Sequence, residues 1–87
     1  MTLYEFNALD EMEQAEAVWA GVHIGERFDE EHNILLYQID KFYVEAYIHR
    51  EYGVLRKFRS FSSTYQLELY IGQIDIVKLL NGNNRPL

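Results

Sequence analysis

Arg50, Arg56, Lys57 and Arg59 fall within residues 50–61, REYGVLRKFRSF, and hold half of the basic charge in a chain whose formal net charge is −6. Phe58 and Phe61 alternate with them, and Tyr43 and Tyr47 stand a short distance upstream. Rings and guanidinium groups at two-residue spacing are the raw material of a nucleic-acid platform, where bases stack on aromatics and cations hold phosphates. The plainer account is a solvated sheet face whose cations pair with Glu45, Glu51 and an acidic N-terminal segment. Two considerations favour it. Strand alternation sends Arg56 to one side and Lys57 and Arg59 to the other. A net charge of −6 also repels a polyanion during approach and in the complex.

Other reactive groupings are sparse. Glu45, Tyr47 and His49 share one side of a strand and have the types needed for proton transfer. Their two-residue spacing separates neighbours by roughly 7 Å, too far for direct hydrogen bonds without a further group. His32 lies among acids in DEEHN, residues 29–33, but the spacing matches no calcium loop, so an acidic solvated turn is expected. His23 has no evident partner. Ser60, Ser62 and Ser63 sit at a strand-to-helix junction, where capping accounts for them. No nucleophile elbow, P-loop or dinucleotide fingerprint occurs. With no cysteine, neither disulfides nor thiolate metal sites are available. No catalytic residue, no metal ligand set and no cofactor is expected, and the chain reads as non-enzymatic.

The elements that must hold these residues follow from periodicity. Asn7 can cap an N-terminal helix, followed by Asp10, Glu11 and Glu13 near its positive end; Thr2 with Glu5 offers a competing capping box. Leu9, Met12, Ala15 (or Glu16) and Trp19 make an apolar stripe. Gly21 is expected as a left-handed stop. From Val22 the period becomes two. Strands are expected near 22–28, over 34–39 and 42–49, and over 54–61, with Asp40-Lys41 as a two-residue turn and Gly53 in the left-handed region of the last hairpin. The register of that hairpin pairs His49 with Leu55, Tyr47 with Lys57, Glu45 with Arg59 and Tyr43 with Phe61, which matches opposite charges and aromatic partners. Ser63 caps a helix over 64–74 through Leu67, Tyr70, Ile71 and Ile74, although Gly72 weakens it. Residues 75–80 can extend that helix, form a short strand or be irregular.

This is an α+β fold: a four-stranded antiparallel meander with an N-terminal and a C-terminal helix, both packed on one sheet face. Residues 1–80 make a single small domain and 81–87 a flexible tail. One sheet face gathers Val22, Ile24, Leu35, Tyr37, Ile39, Phe42, Val44, Ala46, Ile48, Val54 and Phe58 and must be covered. The other gathers Ile34, Leu36, Gln38, Tyr43, Glu45, Tyr47, His49, Leu55, Lys57, Arg59 and Phe61 and is expected to face outward.

That outward face carries the functional expectation. Its tyrosines and arginines are the types enriched where proteins bind proteins, and its apolar groups exceed what monomers expose together. Tyr43, Tyr47, Leu55, Lys57, Arg59 and Phe61 are therefore the expected interaction surface, for a protein partner or a second copy in a homodimer. Single-stranded nucleic acid held by Arg50, Arg56, Lys57 and Arg59 is the alternative, and the less favoured one. The acidic start resembles no signal peptide and no run is long enough to span a membrane, so a soluble cytoplasmic protein is expected. Residues 1–45 carry a balance of −9 and residues 46–87 a balance of +3, so the two halves are expected to attract.

Overall fold

A computed structural model describes residues 1–72. The expectations for 73–74 as the end of the last helix, for 75–80 and for the tail 81–87 fall outside those residues. The order is α1 (Leu3–Asn7), α2 (Glu11–Trp19), β1 (Val22–Phe28), β2 (His32–Ile39), β3 (Phe42–His49), β4 (Leu55–Phe61) and a 3-10 helix (Thr64–Tyr70). The four strands form one antiparallel sheet in sequence order.

The N-terminus holds two short helices where one was expected. Each has its own capping box: Thr2 with Glu5 starts α1, and Asp10 with Glu13 starts α2. Two complete boxes give the chain two places where orphan N–H groups are satisfied, so the helix breaks between them. Asn7 is consequently no N-cap; its Oδ1 accepts a 2.7 Å hydrogen bond from Ser60 Oγ and ties α1 to β4. The buried stripe shifts as well. Phe6 and Val18 are buried, while Met12, expected inward, is exposed.

Gly21 does not adopt a left-handed conformation; among the described residues positive φ occurs at Asp40, Gly53 and Gly72. Its lack of a side chain serves close approach instead. A Cβ there would lie 2.9 Å from the Gln38 carbonyl oxygen, at the point where α2 turns into the sheet. Asp40 (φ 51°) and Gly53 (φ 69°) occupy the β2–β3 and β3–β4 turns as the sequence pattern requires.

The hairpin register holds for Tyr43 with Phe61, Glu45 with Arg59 and Tyr47 with Lys57. A bulge between Tyr47 and Ile48 then sets Leu55 opposite Ile48 instead of His49. Leu55 thereby leaves the face on which alternation had placed it. A second bulge in β1, between His23 and Gly25, puts Ile24 and Val22 on the opposite face from the one expected. Each extra residue reverses the side-chain parity beyond it.

Each face of the sheet carries a covering layer over part of its length, supplied by a different end of the chain. Phe6 and Val18 from the helices join Ile39, Phe42 and Val44 on one side, with Leu3, Leu9, Ala17, Tyr37 and Phe58 packed around them. Leu67 and Tyr70 from the 3-10 helix join Leu36, Tyr43 and Phe61 on the other, with Ile24 alongside. The expectation of both helices on one face is thus corrected. Phe42 and Tyr43 are consecutive and point oppositely, so the clusters containing them lie on opposite sides. Interior strand β3 is buried from Phe42 through Tyr47 without alternation. A sheet with two apolar faces must be sandwiched, and the C-terminal stripe is the only other apolar surface among the described residues.

Candidate functional site

Glu45 lies at the centre of β3 and is 1% exposed. Four donors surround it. Oε1 accepts from Tyr47 Oη at 3.0 Å and from Arg59 Nη1 at 2.9 Å. Oε2 accepts from Arg27 Nε at 3.1 Å and from Tyr70 Oη at 2.6 Å. Arg27 Nη2 also donates to Tyr47 Oη at 3.2 Å, and Arg59 Nη2 donates to Gln66 Oε1. Side chains from β1, β3, β4 and the 3-10 helix therefore converge on one carboxylate.

The geometry arises from β pairing. The Glu45–Arg59 pair spans adjacent strands, while Arg27 reaches over β2 from β1. Tyr47, two residues along the same strand, leans back onto Glu45. The expectation that such spacing forbids a direct bond fails because side chains reach farther than their backbone separation suggests. Burial opposes ionisation of Glu45. The hydrogen bonds from Tyr70, Arg27 and Tyr47 and the charge of Arg27 outweigh it and hold the carboxyl below its ordinary value. Burial, then the adjacent carboxylate, pushes the Tyr70 hydroxyl well above its ordinary value. The donors make a closed set, two per oxygen, and leave Glu45 no lone pair directed at a substrate. Its chemistry is cohesive: it fastens the 3-10 helix to the sheet.

The residues expected to form an outward surface are largely inside. Tyr43, Tyr47 and Phe61 are buried beneath or beside the 3-10 helix. Arg59 is committed to Glu45 and Gln66, and its guanidinium lies 5.5 Å from the Phe61 ring centre. Lys57 Nζ lies 4.6 Å over the Tyr47 ring. Leu55 is on the opposite face. The signal for this covering was present in the sequence: the supposed outer set included Ile34, Leu36, Tyr43 and Phe61, as apolar as a core.

The basic stretch is divided. Arg50 donates to the Asp29 carbonyl at 3.1 Å and sits 5.2 Å over the Phe28 ring, while Arg56 is exposed at the β4 bulge. Charged residues and a bulge on edge strand β4 discourage pairing with a foreign strand. In the 29–33 segment, Asp29 Oδ1 accepts from the backbone N–H of Glu31 and His32, which lowers the Asp29 pKa and folds the turn. His49 Nδ1 accepts from the backbone N–H of Glu51 and Tyr52, so it too organises a turn. Among the described residues no three of His, Cys, Asp and Glu gather as metal ligands would.

One surface was missed by pattern reading. The helices cover only the Phe42–Val44 end of their sheet face. Toward the other end a shallow groove is lined by Glu26, Arg27, Phe28, Asn33, Leu35 and Ile48. Phe28 is 69% exposed. Leu35, Ile48 and Leu55 are half-buried, continuing the core outward. The sequence hint was an apolar face eight residues long beneath a first helix of only two or three turns. No helix among the described residues is long and apolar enough to cross a membrane. Comparison with family models, with curated proteins and with solved structures finds no match.

Proposed function

We propose that the protein is a non-enzymatic interaction module that docks through the uncovered half of its helix-bearing sheet face. The single observation carrying this reading is the continuity of exposed Phe28 with half-buried Leu35, Ile48 and Leu55. Large apolar side chains gathered at an open groove are the usual mark of a surface that a partner completes. The absence of cysteine accords with a reducing cytoplasmic setting, which belongs to the same proposal. Nucleic-acid binding draws less support, because Arg59, Lys57 and Arg50 are spent on a carboxylate, a ring and a turn.

A photoreactive benzoyl-phenylalanine at position 28, expressed in cells, tests the proposal. Discrete protein adducts are expected there and not from the same group at Tyr65, which is exposed on the other side of the sheet. Equal labelling from both positions, or none from position 28, refutes it.

A further inference from the structure

Resting on that reading, we propose that the docking half-face is gated by the chain's own C-terminal segment: residues 73–87 pass around the β1 edge and set Val77, Leu79 and Leu80 into the groove, which a partner must first clear. The place where the described chain ends points to this occupant. The 3-10 helix starts beyond β4 and crosses the sheet, so that the Tyr70 ring lies 5.9 Å from the Arg27 guanidinium of β1 and Ile24 of β1 packs on the cluster holding Leu67 and Tyr70. β1 is an edge strand, and Gly72 (φ 93°) ends the helical course beside it. Phe28, one residue beyond Arg27, points to the opposite side of that strand, into the groove. The chain therefore leaves the 3-10 layer at the rim of the sheet that the groove borders.

Reach, size and charge agree with it. The fifteen residues after Gly72 extend to roughly 50 Å, and passing from a layer on one side of a sheet to the other takes roughly four to six of them, which brings Val77 and its successors to the groove. The groove has a volume of about 680 Å³, the scale of a site for a drug-sized molecule, so it holds a few side chains and not a folded domain. Residues 74–80, IDIVKLL, supply five large apolar side chains against Phe28, Leu35 and Ile48. Residues 73–87 also carry a formal charge of +1 against −7 for residues 1–72, which draws the segment back onto the fold. Because the segment is tethered, its effective concentration is about millimolar, and a small contact is enough to occupy the groove. A contact that small still opens, so a partner binds with an affinity reduced by the closed fraction.

Photocrosslinking on the full chain tests it. The purified protein with benzoyl-phenylalanine at position 28 is irradiated at about 1 µM, roughly a thousandfold below the concentration of a tethered segment. An adduct within the monomer, mapped to residues 77–80 by peptide mass spectrometry, is expected. Leu79→Asp with Leu80→Asp should reduce that adduct roughly tenfold and raise the protein adducts formed in cells from position 28 roughly threefold. Circular dichroism checks the fold of this variant, and the milder Leu79→Ala with Leu80→Ala should move both readouts the same way by less. The same probe at position 69, exposed on the 3-10 helix, should not trap residues 77–80. Trapping from position 69 and not from position 28 assigns the segment to the 3-10 side and overturns the gate. No internal adduct, or one whose loss leaves the cellular adducts unchanged, also overturns it, while protein adducts in cells keep the docking surface. An internal adduct with no protein adduct from any form refutes the docking surface, and the gate with it.

Discussion

Replacing Tyr70 with Phe isolates one bond of the Glu45 network. The ring stays buried and keeps its contacts with Leu36, Tyr43, Phe61 and Leu67, while the 2.6 Å bond to Oε2 disappears. A hydrogen bond to a charged acceptor contributes about 1.5–3 kcal/mol, and here the carboxylate is too buried for water to replace the donor freely. A loss of about 2 kcal/mol is expected. For a chain of this size each kcal/mol moves the midpoint by about 4–8 °C, so Tm should fall by about 8–16 °C. Glu45→Gln removes the charge facing two arginines. Breaking a buried pair costs about 3–5 kcal/mol, but the Arg27 and Arg59 side chains are 24% and 43% exposed and rehydrate, so about 3 kcal/mol is expected. Urea unfolding followed by Trp19 fluorescence and by circular dichroism measures both, and the slope with urea should be unchanged. The double variant should lose less than the sum by about 1 kcal/mol or more, because both act on one bond. A Tyr70→Phe loss below about 0.5 kcal/mol, or strict additivity, would refute the claim that Glu45 fastens the 3-10 helix.

Acid should act through the same group. Glu45 titrates lower in the fold than its ordinary 4.5, so its stabilisation is complete above that pH and is lost as pH falls through the folded value; Glu45→Gln should flatten that part of a stability–pH curve. At the alkaline end the raised hydroxyls of Tyr43, Tyr47 and Tyr70 hold stability that is complete below pH 10 and lost above it, so chemical denaturation between pH 9 and 11.5 should show a steep decline that Tyr70→Phe makes shallower. Gly21→Ala forces a Cβ against the Gln38 carbonyl and should cost about 1–3 kcal/mol in urea unfolding, whereas Gly53→Ala meets open space and should cost only the left-handed backbone penalty of about 1 kcal/mol. Asp10→Ala removes the cap and the capping box of α2 and should lower stability by about 1 kcal/mol in urea unfolding.

The strands, their order and three of the hairpin's side-chain pairs were legible because period-two alternation and turn residues are local signals. Opposite charges at Glu45 and Arg59 pin the register in the sequence itself. What escaped was set by single-residue events and by competition between faces. A bulge carries no strong sequence mark, so Val22, Ile24 and Leu55 were assigned to the wrong sides. β3 presents apolar or aromatic residues on both faces, and alternation alone cannot say that a sheet is sandwiched. The weak 3-10 stripe around Leu67 and Tyr70 matched the Tyr43–Phe61 face in character. Recognising that match required weighing Ile34 and Leu36 as core residues instead of as a mixed surface. The Glu45 cluster was half visible: its Arg59 partner followed from register, but Arg27 reaches across an intervening strand, a relation no pairwise rule supplies.

The bulges and charges at the two rims of the sheet decide what kind of assembly is open to it. Stacking rim to rim would leave a fresh rim at each end and let copies add without limit, as fibrils do. Kinked, charged margins discourage that route.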